Sequence, residues 1–85
     1  MINEPLLDIL PILRKEYDLA KEKHPFFPDD VDALSIIMEE VGEVARAIND
    51  GEGDERIATE AAHVAVTAIR LMENIIGAEE RYDRI

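Results

Sequence analysis

Leu6, Leu7, Ile9, Leu10, Leu13, Tyr17 and Ala20 fall at helical spacing, which predicts a helix over residues 5–23 with one apolar face. Asn3 can cap its start, and Pro5 is tolerated in a first turn. Pro11 removes a backbone bond and clashes with the preceding turn, so the helix is expected either to kink there or to begin only near Leu10. His24-Pro-Phe-Phe-Pro28 breaks the pattern, because its two prolines force an extended connection. Phe26 and Phe27 are expected to cover the open end of the core. His24 reads in two ways: as a partner for the last carbonyls of the first helix, or as a contact for a base or a phosphate.

A second helix follows. Asp29, Asp30 or Asp32 can cap it, and Leu34, Ile37, Met38, Val41, Val44, Ala45 and Ile48 give a clear amphipathic stripe. It is expected to end near Asn49, where Asp50-Gly-Glu-Gly-Asp54 makes an acidic turn. That turn lacks the ligand ladder and terminal bidentate glutamate of a calcium loop. Asp54 is expected to cap a third helix running to about Ile76 and ending at Gly77, with residues 77–85 as a charged tail. The fold class is therefore all-α: one domain over residues 1–85, a small bundle of three main helices.

Polar residues interrupt both later helices in lines. On a wheel of about 100° per residue, Ile36, Glu40, Glu43 and Ala47 fall on one line, so two glutamates are bracketed by apolar neighbours. Glu39 lies on the flank, and only Arg46 is near enough to pair with these carboxylates. The third helix is apolar around most of its circumference, which suits a central or oligomer-buried position. Its narrow polar stripe is Arg56, Glu60, His63, Thr67, Arg70 and Asn74. If the two stripes face each other, Glu40, Glu43, Glu60 and His63 converge. Unpaired carboxylates repel by ~1 kcal/mol per pair at 4 Å in water, and by several times that at lower effective dielectric. Such a site needs protons, arginines or a cation. Carboxylate oxygens suit Mg²⁺ or Mn²⁺, and one imidazole shifts the preference toward Mn²⁺ or another transition metal. The bland alternative is a solvated glutamate pair and a satisfied core histidine.

Composition narrows the picture further. In 85 residues, 47% are hydrophobic but only two Phe and two Tyr are aromatic, so the core is aliphatic, and a chain this small often completes its core by association. The absence of cysteine removes disulfides, thiolate catalysis and cysteine-type zinc sites. A net charge of −11 argues against binding a nucleic-acid backbone, though metal ions between carboxylates and phosphates would admit a nucleotide. No apolar run approaches the roughly 20 residues of a membrane span, and Glu4 and Asp8 stand where a signal peptide is basic. A cytoplasmic protein, with no membrane and no nucleic acid as partner, is expected.

The order Glu39-Glu40-Val-Gly-Glu43, Glu60-Ala-Ala-His63, Asn74-Ile-Ile-Gly77 resembles the MazG-like all-α nucleoside triphosphate pyrophosphohydrolases, over residues 30–77. The pattern in that family is E-E-x-x-E followed by E-x-x-D. The resemblance implies hydrolysis of a nucleoside triphosphate between the α- and β-phosphates, giving a monophosphate and pyrophosphate. It implies Glu40, Glu43 and Glu60 as ligands of Mg²⁺, with Mn²⁺ as the alternative, and Glu39 as an auxiliary carboxylate that binds a second metal or orients the attacking water. Asn74 would contact the nucleotide, while Lys21, Arg56 and Arg70 are the available cations for the triphosphate. A homodimer or homotetramer, with helices of two chains completing a four-helix bundle, is implied as well. The departure is His63, where the family has Asp. His63 would ligate the metal, hydrogen-bond a water at the metal, or mark a chain without activity.

Two other functions fit the same residues. One is a relative that binds a nucleotide or metal without turning it over. The other is an acidic helical interaction module that sequesters a basic partner.

Overall fold

Aspartates, glycines and helix-forming runs divide the chain as the periodicity implies. The computed structural model, described over residues 5–26 and 29–83, with 78–83 by backbone alone, contains three helices. They are α1 (Pro5–Lys23), α2 (Asp30–Asn49) and α3 (Asp54–Asp83), and no strand is present among the described residues. No helix there is long and apolar enough to cross a membrane. The expected roles of Asn3 and Phe27 lie outside the described residues.

The helix ends follow local chemistry. Asp29 caps α2: its Oδ1 accepts the Asp32 amide at 3.0 Å. At the other end Gly51 takes a left-handed φ of 63°, which lets the Glu52 amide reach back to Ala47 O at 3.0 Å and the Gly51 amide to Ile48 O at 3.2 Å. These two reversed bonds satisfy carbonyls the helix leaves open.

Three expectations, and the later of the two starts offered for α1, are corrected. Asp54 is the first residue of α3 rather than its cap; Gly53, at φ 100°, precedes the helix, and its carbonyl accepts the Ile57 amide. Gly77 does not end α3, which continues to Asp83. Glycine costs a helix only about 1 kcal/mol, and the following Ala-Glu-Glu-Arg are strong helix formers, so residues 77–83 are helix rather than a separate tail. α1 begins at Pro5 and runs through Pro11. Proline there leaves the Leu7 carbonyl without its donor, and the exposure of Leu7 leaves that carbonyl within reach of solvent. Phe26 is 90% exposed and does not cover the core; α1 and α2 do not close over a common core end.

α3 is central. It packs against α2 and against α1, whose backbones stay apart from each other. The buried apolar residues are Ala33 and Ala47 of α2 and Ala62 and Val66 of α3. Small residues at these positions let the α2 and α3 axes approach closely.

This packing reverses the simplest reading of the α2 wheel. The line Ile36, Glu40, Glu43 and Ala47 turns toward α3, whereas Leu34, Met38, Val41 and Ile48 of the apolar stripe are exposed. Leu6, Leu7, Ile9 and Leu10 of α1 and Met72, Ile75 and Ile76 of α3 are exposed too. The radius of gyration is 15.1 Å, against about 12 Å for a compact domain of this length. The accessible surface is 6804 Å², against about 5,100 Å² for a folded monomer of this mass.

Candidate metal centre

Helical geometry delivers the central side chains. Glu60 and His63 are three residues apart on α3 and so share a face; the inward line of α2 brings Glu40 and Glu43 to them. One ligand atom each from Glu40, Glu60 and His63 lie within 4.8 Å of one another. His63 Nδ1 is 3.5 Å from Glu60 Oε2 and 3.8 Å from Glu40 Oε2.

Burial makes the cluster costly. The Glu60 side chain is 2% exposed. Its Oε1 is held by Arg56 at 2.9 Å, but its Oε2, like Oε2 of Glu40, is buried with no hydrogen-bond partner. A buried polar atom without a partner costs about 1–3 kcal/mol, and more when charged.

Glu43 responds to the same crowding. Its carboxyl is pushed above its ordinary value, first by a side-chain hydrogen bond with Glu60, then by the charges of Glu40 and Glu60, by burial and by Glu39. A hydrogen bond between two carboxyls requires a proton on one of them. Glu60 Oε2 itself has no partner. Crowded carboxylates of this kind are relieved by a proton or by a cation.

α1 adds a residue that periodicity did not mark. Glu16 places Oε2 3.3 Å from His63 Nε2. Its position on the half-buried side of α1, with Leu13, Tyr17 and Ala20, was the available signal.

The remaining expected residues divide between two ends of α3. Arg56 stays with the cluster, bound to Glu60 and within 3.9 Å of Glu52. Arg70 is buried and turns its guanidinium to α1, donating to Ala20 O at 3.4 Å and His24 O at 2.5 Å. The last carbonyls of α1 are thus served by Arg70 and not by the His24 side chain. Lys21 donates to Tyr17 Oη at 3.2 Å and, with Asn74, Arg70 and Glu73, lines a shallow depression of about 290 Å³. Asn74 lies about four turns, ~21 Å, along α3 from Glu60, so it does not reach the carboxylate cluster. Glu39 is exposed beside it.

Between the two ends runs an open cleft of about 890 Å³. Glu16, Glu40 and His63 line one part, Arg70 and His24 another, and Leu19, Ile36 and Val66 supply apolar wall. Carboxylates at one end and a cation at the other can hold a ligand that carries both a metal-bound anion and an apolar body.

Comparison with protein-family models, with curated proteins and with solved structures found no match.

Proposed function

We propose that this chain is a metal-dependent nucleoside triphosphate pyrophosphohydrolase of MazG-like type, converting a (d)NTP and water to a (d)NMP and pyrophosphate. The observation that carries the reading is the pair of buried, unpartnered oxygens, Glu40 Oε2 and Glu60 Oε2, beside an imidazole nitrogen. A divalent cation satisfies all three at once. Two carboxylate oxygens and one nitrogen fit Mn²⁺ well and Mg²⁺ less well, since Mg²⁺ favours an all-oxygen shell.

In this reading Glu40, Glu60 and His63 hold the ion. When bound, a divalent ion neutralises phosphate charge and acidifies water. Glu43, the next carboxylate on the inward line of α2, accepts the proton of the attacking water. Glu39 supplies a further carboxylate at the mouth of the site. Arg70 gives the cleft a cationic end, and the apolar wall beside it accepts the base. Lys21 and Asn74 act only on a part of the substrate that extends past Arg70.

The exposed apolar faces support assembly. A second copy seated on the Leu34, Met38, Val41 and Ile48 stripe of α2 completes a four-helix bundle as a homodimer or homotetramer. A cytoplasmic location follows from a nucleotide substrate.

The test is pyrophosphate release from a panel of ribo- and deoxyribonucleoside triphosphates with Mg²⁺ and with Mn²⁺, beside Glu43→Gln. Turnover lost in the variant is expected. No turnover with any nucleotide and either ion would sink the enzymatic reading; nucleotide binding without turnover would select a non-catalytic binder.

A further inference from the structure

The imidazole of His63 is held from both sides by carboxylates of three different helices. Nε2 faces Glu16 of α1, at 3.3 Å, while Nδ1 faces Glu60 of α3 and Glu40 of α2. A neutral imidazole has one N–H donor and one lone pair. Opposite a carboxylate, the proton belongs on the nitrogen nearest to it, because a lone pair there would meet a second negative charge. Glu16 is the nearest of the three, on the Nε2 side, while Nδ1 faces the buried oxygens of Glu40 and Glu60; with a cation among those oxygens, Nδ1 would be the ligating nitrogen and the Nε2–H would donate to Glu16.

We propose that Glu16 is the outer-sphere partner of a mixed nitrogen–oxygen metal site, one that selects a divalent transition ion such as Mn²⁺ over Mg²⁺. The inference rests on the reading of Glu40, Glu60 and His63 as metal ligands. Carboxylate–imidazole–metal chains of this kind fix the tautomer, hold the ring plane and raise the basicity of the ligating nitrogen. Glu16 thereby returns, one bond network away, the negative charge that an aspartate at position 63 would have supplied directly. It also explains why a carboxylate stands on the α3-facing side of α1, between Leu13 and Ala20, where an apolar residue would pack without desolvation cost. Arg70 fixes the end of the same helix, one to two turns on, so that Glu16 arrives at His63 in register.

Glu16 is a positioning residue, and the test separates that role from a structural ion pair. Calorimetric titration of the full chain with Mn²⁺ and with Mg²⁺ is run on the wild type, Glu16→Gln, His63→Asp and the double variant, with helicity checked by circular dichroism. Glu16→Gln is expected to weaken Mn²⁺ binding by about 10- to 100-fold and to lower the Mn²⁺/Mg²⁺ affinity ratio. In the His63→Asp background the same substitution is expected to weaken neither ion, because no imidazole remains to be oriented. Pulsed electron paramagnetic resonance of bound Mn²⁺ is expected to show a coordinated ¹⁴N in the wild type and none in His63→Asp. Should Glu16→Gln lose helicity, Glu16→Asp serves instead, with an intermediate loss expected. Unchanged Mn²⁺ affinity in the Glu16 variants, equal losses in both backgrounds, or bound Mn²⁺ without ¹⁴N coupling each overturn the inference and leave the metal site standing. A wild type that binds neither ion overturns the metal site itself.

Discussion

The guanidinium of Arg70 on α3 donates to the backbone carbonyl of His24, just past the end of α1, at 2.5 Å. A second bond runs from the same side chain to Ala20 O. The Ala20 carbonyl also accepts the His24 amide at 2.8 Å, so the buried cation is a second donor there and the side-chain donor of the His24 carbonyl, and it adds the favourable interaction of positive charge with a helix C-terminus. Because α1 has no buried residue of its own, its attachment depends on such polar contacts as much as on packing.

Arg70→Ala should lower stability by about 2–3 kcal/mol, since charge-assisted hydrogen bonds contribute more than neutral ones and the His24 carbonyl loses its side-chain donor. Urea unfolding gives the magnitude. Hydrogen exchange gives the location: amides in the second half of α1 should exchange faster while those in the middle of α2 do not. Uniform acceleration across all three helices would count against Arg70 as the tie of α1 to α3.

Metal-free protein should lose stability as pH rises from the ordinary carboxylate range toward neutrality. The sign follows from Glu43, whose carboxyl binds a proton more tightly in the fold than in the unfolded chain. Its contribution is complete below the unfolded value and disappears as pH passes the raised one. Glu43→Gln cannot lose that proton, so its melting temperature should decline less over the same interval. Parallel profiles for the two proteins would remove Glu43 from the account. Saturating Mn²⁺ should flatten the wild-type profile, because the cation takes the place of the proton.

Met38 and Val41 are 60% and 43% exposed on the outward stripe of α2. A chain in isolation gains nothing from them there. Full burial of such side chains contributes about 1.5–3 kcal/mol each, so a Met38→Lys, Val41→Lys variant should dissociate an assembly that depends on this face. Light scattering should give a multiple of the chain mass for the wild type and the single-chain mass for the variant. A wild type that is monomeric throughout the micromolar range would show that the stripe has no second copy to meet.

Periodicity and capping chemistry sufficed for three helices and for the end of α2 near Asn49; of the three aspartates offered as its cap, the structure selects Asp29. Spacing alone also put Glu40 with Glu43, and Glu60 with His63, on common faces, because residues three apart are neighbours on any helix. The length of α3 was not legible, since a glycine followed by strong helix formers can be passed as easily as it can end a helix. Arg70 was readable as a cation on a polar stripe, but not as a clamp for α1, because its partners are backbone carbonyls some fifty residues away in sequence. Glu16 carried no signal beyond its place on a helix. A wheel orders side chains around one axis and says nothing about which neighbour each face meets. Only the packing of α1 and α2 on α3 decided that the carboxylates turn inward while Leu34, Met38, Val41 and Ile48 of the apolar stripe stay outside and Ile37 and Val44 are half-buried. That choice has a physical basis: alanines at 33, 47 and 62 let α2 and α3 approach along the carboxylate line.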